Sequence, residues 1–351
     1  MSMAPPEIRV AGLTATGWRR VAILAGLALA IALPFITSDY RSFQFTLAMI
    51  YAIAILGLNM LTGYCGQISL GHGAWYAIGA YTAAILMDQG GVAYYLTLPV
   101  AGFVCLVVGF LFGFPAGRLH GHYLALATFA LAVAVPQILK YDPLSPWTGG
   151  VQGIFIFKPD PPAGLPLSQD QWLYFFTLGV LLVLFLAAWN ILRGRSGRAM
   201  IAIRAHHTAA EAMGINTALY KSLTFGVSAF YTGVAGALGA IAIGFVAPDS
   251  FTFLISILFV VGMVVGGLGS IWGALVGGLF ITFVPNIAEE ISKAAPWAIY
   301  GVFMIGLMYL MPMGAAGFVR AIGRRIEQHW GRSGPDVTKE SGADAAAASE
   351  P

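Results

Sequence analysis

Asn59, Thr62, Gln67, Ser69 and His72 are five neutral polar side chains crowded into a stretch that is otherwise glycine and mainly apolar residues. An amide, a hydroxyl or an imidazole can hold a polar solute at membrane depth without the desolvation cost of a charge. Gly66 and Gly71 lie in the same stretch, and glycine permits a closeness of backbone that larger residues forbid. The chemistry on offer is noncovalent: a lining for a solute path, with no catalytic group and no bond made or broken. No second His, Cys or carboxylate stands at metal-ligand spacing from His72, so no metal is expected, and an imidazole satisfied by its own protein is the plain alternative. Cys65 and Cys105 imply neither a disulfide nor a metal site.

Such residues need rigid elements around them, and composition says what these are. The chain of 351 residues is 58% apolar and 9% charged, against roughly 25% charged in a soluble domain. Ten runs, at 21–37, 43–61, 74–87, 94–116, 123–139, 171–192, 222–246, 251–268, 271–288 and 296–313, contain no Asp, Glu, Lys or Arg. A bilayer core takes about 20 apolar residues per helix, and continuous rather than alternating apolarity argues against a β-barrel. The expected fold class is all-α: a polytopic membrane protein of about ten transmembrane helices over 21–313. Arg19 and Arg20 precede the first run as in a signal peptide. Pro34, Phe35 and Ile36 replace the small residues a cleavage site needs, so the run is kept as a helix.

With a cytoplasmic N-terminus, ten crossings place 1–20, 62–73, 117–122, 193–221, 269–270 and 314–351 inside, and these segments hold 14 of the 18 Lys and Arg residues. Arg41, Lys140, Lys158 and Lys293 remain outside, the asymmetry that the positive-inside rule demands. A formal charge of +3 is too small to suggest nucleic acid as a partner. The proline-rich outer segment 140–170 reads as an ordered extracytoplasmic loop or short re-entrant cap. The inner segment 314–351 reads as a cytoplasmic tail, disordered where Ala, Ser, Gly and acidic residues prevail.

Glycine crowds two places, Gly57–Tyr81 and Gly262–Gly278. Gly-interrupted segments paired across the two halves of a transporter point to a path built from a repeated unit. For the second segment, close helix packing through Gly269, Gly273 and Gly277 is an equally direct reading. No Lys follows a Gly anywhere in the chain, so the phosphate-cradling loop of an ATPase is absent. Charge-free spans argue against ion coupling. A passive channel or a permease driven by separate subunits remains, and the inner loop 193–221 favours the second. Its stretch RAHHTAAEAMGINTALYK offers Ala209, Ala210 and Ala212 to a groove on a motor, in a short helix ended near Gly214.

Three blocks, NMLTGYCGQISLGHGAWYAIGAY at 59–81, AIRAHHTAAEAMGIN at 202–216 and GGLGSIWGALVGG at 266–278, resemble in order the LivM-type permease of branched-chain amino acid ABC importers. The resemblance spans about 40–315. It implies a bacterial inner-membrane permease subunit, no cofactor of its own, and ATP used by partners. Those partners would be a LivH-type sister permease, two cytoplasmic ATPase subunits and an extracytoplasmic solute-binding protein. It also implies that 208–214 is the coupling helix. Ala209, Ala210 and Gly214 match the importer pattern, while Thr208 stands where that pattern has Glu, leaving Glu211 to supply a charge contact or a solvated face. Urea or short-chain amides are the alternative cargo, since their importers have permeases of the same general type, and a passive channel for small neutral solutes is the alternative class.

Overall fold

The computed structural model describes residues 9–293, apart from 11–12, 120, 163–165 and 292, with scattered positions between 301 and 317. The run 296–313 and the tail 314–351 therefore fall largely outside the described residues. After two short paired strands, Arg9–Val10 and Leu13–Thr14, the chain is helical: α1 (Ala15–Ile36), α2 (Asp39–Leu58), α3 (His72–Asp88), α4 (Tyr94–Ala116), α5 (His122–Leu139), the single turn α6 (Ser145–Thr148), α7 (Gln169–Arg193), α8 (Arg195–Ala205), α9 (His207–Ala212), α10 (Thr217–Ile243), α11 (Phe253–Gly266) and α12 (Ile271–Ile291). Nine of the ten apolar runs coincide with helices. Among the described residues seven spans have the length and apolarity to cross a bilayer. The chain is an all-α, multi-pass membrane protein.

α10 is the axis of the bundle, with 83% of its most apolar window buried; α2, α3 and α4 surround it. Glycine makes the tightest crossing possible: a Cβ on Gly79 of α3 would stand 2.1 Å from the Gly233 carbonyl of α10. Proline is accommodated by borrowed donors. Pro34 in α1 lacks the N–H that would reach the Ala30 carbonyl, and the Tyr174 hydroxyl of α7 donates to that oxygen instead, at 2.8 Å. Gln171 Nε2 donates to the Pro34 carbonyl from the same turn of α7. The start of α7 is itself fixed by a capping box between Ser168 and Gln171.

The connections gather at two ends. At one, Arg204 donates to the Gly63 carbonyl, Gln67 Nε2 to the Lys221 carbonyl at 3.2 Å, and Lys221 Nζ to the Gly117 carbonyl at 3.5 Å. At the other, Lys140 meets Asp249 at 2.5 Å, Ser168 donates to Asp39 at 2.8 Å, and Gln89 donates to the Pro146 carbonyl at 2.8 Å. There too strand Ile154–Phe155 pairs antiparallel with Phe245–Val246. The outer loop is ordered where it is described, through a 3-10 turn at Asp142–Leu144, α6 and this pairing. Among the described residues, Gly63, Gln67, Gly117, Arg204 and Lys221, all in segments that the charge count assigned to one side, share one end.

Candidate functional site

α2 does not stop at its last regular turn but widens into a π-helical turn, Asn59–Tyr64. Such turns insert one residue and rotate the chain beyond them. Asn59 fastens this turn to the second glycine-rich segment: its Oδ1 accepts from Gly269 N–H at 2.8 Å and its Nδ2 donates to the Ser270 carbonyl at 2.9 Å. Gly267 and Gly269 both adopt positive φ there, 111° and 72°. The glycines beyond the turn serve packing, since Gly273 lies against Gly266 and Gly277 against Gly262. The two Gly-rich segments thus meet at one point.

Residues 65–71 are not helical, and their burial alternates: Cys65, Gln67, Ser69 and Gly71 are buried, Gly66 and Ile68 exposed, Leu70 half-buried. This period-two pattern is that of an extended strip with one inward and one outward face. Gly66 makes the turn into it at φ 77°. The strip ends where α3 begins, and His72 there contacts Ser228, near the middle of α10. α3 is therefore a half-helix that starts inside the bundle, which accounts for its length of 17 residues.

The polar side chains expected to line a path are largely turned inward. Ser228 Oγ donates to the Gly57 carbonyl at 2.7 Å, so it accepts from His72 Nε2 at 2.6 Å, leaving Nδ1 to accept from Ser69 Oγ at 3.1 Å. Nε2 therefore carries a proton. Gln67 bonds to the Lys221 carbonyl and Thr62 Oγ1 to the Gln67 carbonyl. Asn59, Gln67, Ser69 and His72 are each 5% exposed or less; they brace the strip, while its open face belongs to Gly66, Ile68 and Leu70, with Thr62 and Tyr64 at its edge. Alternation in an irregular segment cannot be phased from residue types alone, which is why polarity pointed to the inward face.

Sequence reasoning passed over three hydroxyls in apolar runs. Ser228 closes the histidine chain, Thr128 Oγ1 of α5 accepts from Leu70 N–H at 2.9 Å, and Ser256 Oγ of α11 accepts from Gly73 N–H at 2.8 Å. The available signal was a hydroxyl within a charge-free span, a lone one only for Thr128.

At the same end as Gly63, α8 and α9 project as an elbow. α9 is capped by His206, whose Nδ1 accepts from Ala209 N–H at 3.3 Å, and it closes through Gly214 at φ 81°. Ala210 differs from the expectation of a partner-facing residue: it is 4% exposed, turned toward its own chain. The open face carries Thr208, Ala209, Glu211, Ala212 and Met213, the last 83% exposed. Glu211 accepts from Thr217 Oγ1 at 2.6 Å and lies 3.8 Å from His207, so part of its carboxylate is engaged within the elbow.

Residues 40–312 match the family described as branched-chain amino acid transport system / permease component. The chain is 33% identical over 317 residues to the high-affinity branched-chain amino acid transport permease protein LivM of Escherichia coli, covering 84% of this chain and 73% of LivM. It is 29% identical to BraD of Pseudomonas aeruginosa, over 78% of this chain and 93% of that protein. It is 27% identical to the autoinducer 2 import permease LsrC of Salmonella typhi, over 82% and 83% of the two chains. No solved structure matches the chain.

Proposed function

The chain belongs to the family of branched-chain amino acid transport permease components, and from that premise we propose that it conducts aliphatic amino acids across a bacterial inner membrane, as one permease of an ABC importer. The observation that carries this reading is the strip 65–71. Non-helical backbone within a span is tolerated where protein or a water-filled cavity covers it, and Gly66 and Ile68 lie uncovered within this chain. A LivH-type sister permease facing the strip would complete a path between the two subunits. Two cytoplasmic ATPases would dock on the α9 elbows, and a binding protein would deliver the solute at the opposite end. ATP binding would favour one of two access states by differential affinity.

The test is uptake into vesicles holding the full complex, with leucine, urea and acetamide compared. Leucine accumulation that needs ATP is the expected result; uptake that survives ATP depletion would establish a channel, and preference for urea or acetamide would reassign the cargo.

We further propose ten crossings with both termini cytoplasmic. Cysteines at Ala205 and Val151, both exposed and at opposite ends, should react with an impermeant maleimide from the cytoplasm and from outside respectively. Labelling of both from one side would overturn this orientation.

A further inference from the structure

We propose, resting on the permease reading, that Thr128 and Ser256 are positioning residues for transport: their hydroxyls latch the strip 65–71 and the start of α3 to α5 on one flank and α11 on the other, and so set the balance between the two access states. The starting point is a helix terminus without a cap of its own. α3 begins at His72 after Gly71, which has no side chain to offer, and the first N–H groups of a helix have no partner within it. Ser256 Oγ, from a different helix, supplies one for Gly73 at 2.8 Å, and Thr128 Oγ1 supplies one for Leu70 at 2.9 Å. Glycine stands at 71 and 73 because the latching residues fill the room a side chain would need. A Cβ on Gly71 would lie 2.7 Å from the Thr128 carbonyl, and one on Gly73 would lie 2.7 Å from Ser256 Oγ.

The latch sits where movement would matter. Thr128 and Ser256 are 0% and 1% exposed, so in the docked arrangement no water can replace either hydroxyl. The next residues outward, Phe129 of α5 and Phe253 of α11, close the seam with a T-shaped ring contact at 5.7 Å and remain 37% and 40% exposed. Both latching bonds are neutral and single, strong enough to hold while buried and replaceable by water once the seam parts. A charged latch could not be released into an apolar seam at comparable cost.

The experiment uses the reconstituted complex with Ile68→Cys as reporter, a position 48% exposed, the native Cys65 and Cys105 being buried. Maleimide labelling is followed without nucleotide and with ATP plus vanadate. Thr128→Val keeps the volume and removes the hydroxyl; Thr128→Ser restores it; Ser256→Ala removes the other. Loss of either hydroxyl should change the ratio of labelling rates between the two nucleotide conditions by about tenfold, and Thr128→Ser should return it to the wild-type value. A purely structural hydroxyl would lower the yield of complex and leave that ratio alone. An unchanged ratio in Thr128→Val overturns the proposal, and that variant decides the matter by itself if Ser256→Ala does not assemble. Because labelling is read without solute, failure of the latch is distinct from failure of the permease reading, which the wild-type uptake assay registers.

Discussion

Gly71→Leu should abolish solute uptake, reducing it at least 100-fold, while the chain still inserts into the membrane. A Cβ at 71 would stand 2.7 Å from the Thr128 carbonyl and 3.1 Å from its Cβ, contacts that backbone cannot yield as a flexible side-chain tip would. Overpacking of this kind costs about 1–3 kcal/mol where the surroundings can shift, and the leucine branches would add to it. The strip would have to leave α5, breaking the bond from Leu70 N–H to Thr128 and opening the start of α3. Insertion should survive, because the apolar runs on either side are untouched. Gly71→Ala forms the graded control, with a partial loss, since one methyl group asks for a smaller shift. The reason is space and not conformation: among the strip's glycines the positive φ belongs to Gly66, at 77°, whereas Gly71 stands at −105°. Membrane-fraction content and vesicle uptake, measured on the same preparations, check the expectation; full uptake by Gly71→Leu would detach the strip from the path.

Much of this architecture was legible because the bilayer imposes it. A run such as 222–246 has no charge to place in water, so its helix was forced, and α10 follows it closely. The grouping of loops at two ends came from counting Lys and Arg, which report the side of the membrane rather than any contact. What could not be read was direction within a segment. Gln67 and Ser69 read from the sequence as polar groups without a packing purpose; in the fold Gln67 Nε2 donates to the Lys221 carbonyl while its Oε1 has no partner among the described residues, and Ser69 Oγ meets His72. Composition gives the presence of a hydrogen-bonding group, whereas its partner lies at a sequence separation of 154 residues in the case of Gln67 and Lys221. The role of Ser256 was hidden for a related reason: its span shows a hydroxyl, but a cap supplied by another helix leaves no mark beside the terminus it caps. The α9 segment shows the same limit on a smaller scale, since a six-residue helix has too few turns for periodicity to say that Ala210 faces in and Ala209 out.

That difference of one residue gives the second large effect. Ala209→Arg should leave the elbow folded and the chain inserted in the membrane, while solute-stimulated ATP hydrolysis and uptake both fall by at least tenfold. Ala209 lies on the open face of α9 with Thr208, Ala212 and Met213, where an arginine stays solvated in the isolated chain and costs little. Seated in a groove of a motor subunit, the same guanidinium would lose its water without gaining a partner, and the effective penalty for one buried ion is several kcal/mol. Each 1.4 kcal/mol is tenfold in docking, so a single arginine suffices to separate the subunits' cycles. Ala210→Arg acts by another route. Its side chain is 4% exposed within the elbow, and a cation there would disrupt the packing of α9 itself, where the Ile215 N–H reaches the Ala210 carbonyl at 3.1 Å. The two variants are therefore distinguished by stability. Ala210→Arg should make the elbow sensitive to limited proteolysis between α8 and α10, and Ala209→Arg should not. If Ala209→Arg, with an intact elbow, keeps wild-type uptake and wild-type stimulated hydrolysis, the open face of α9 is solvated surface, and the motor engages this permease elsewhere.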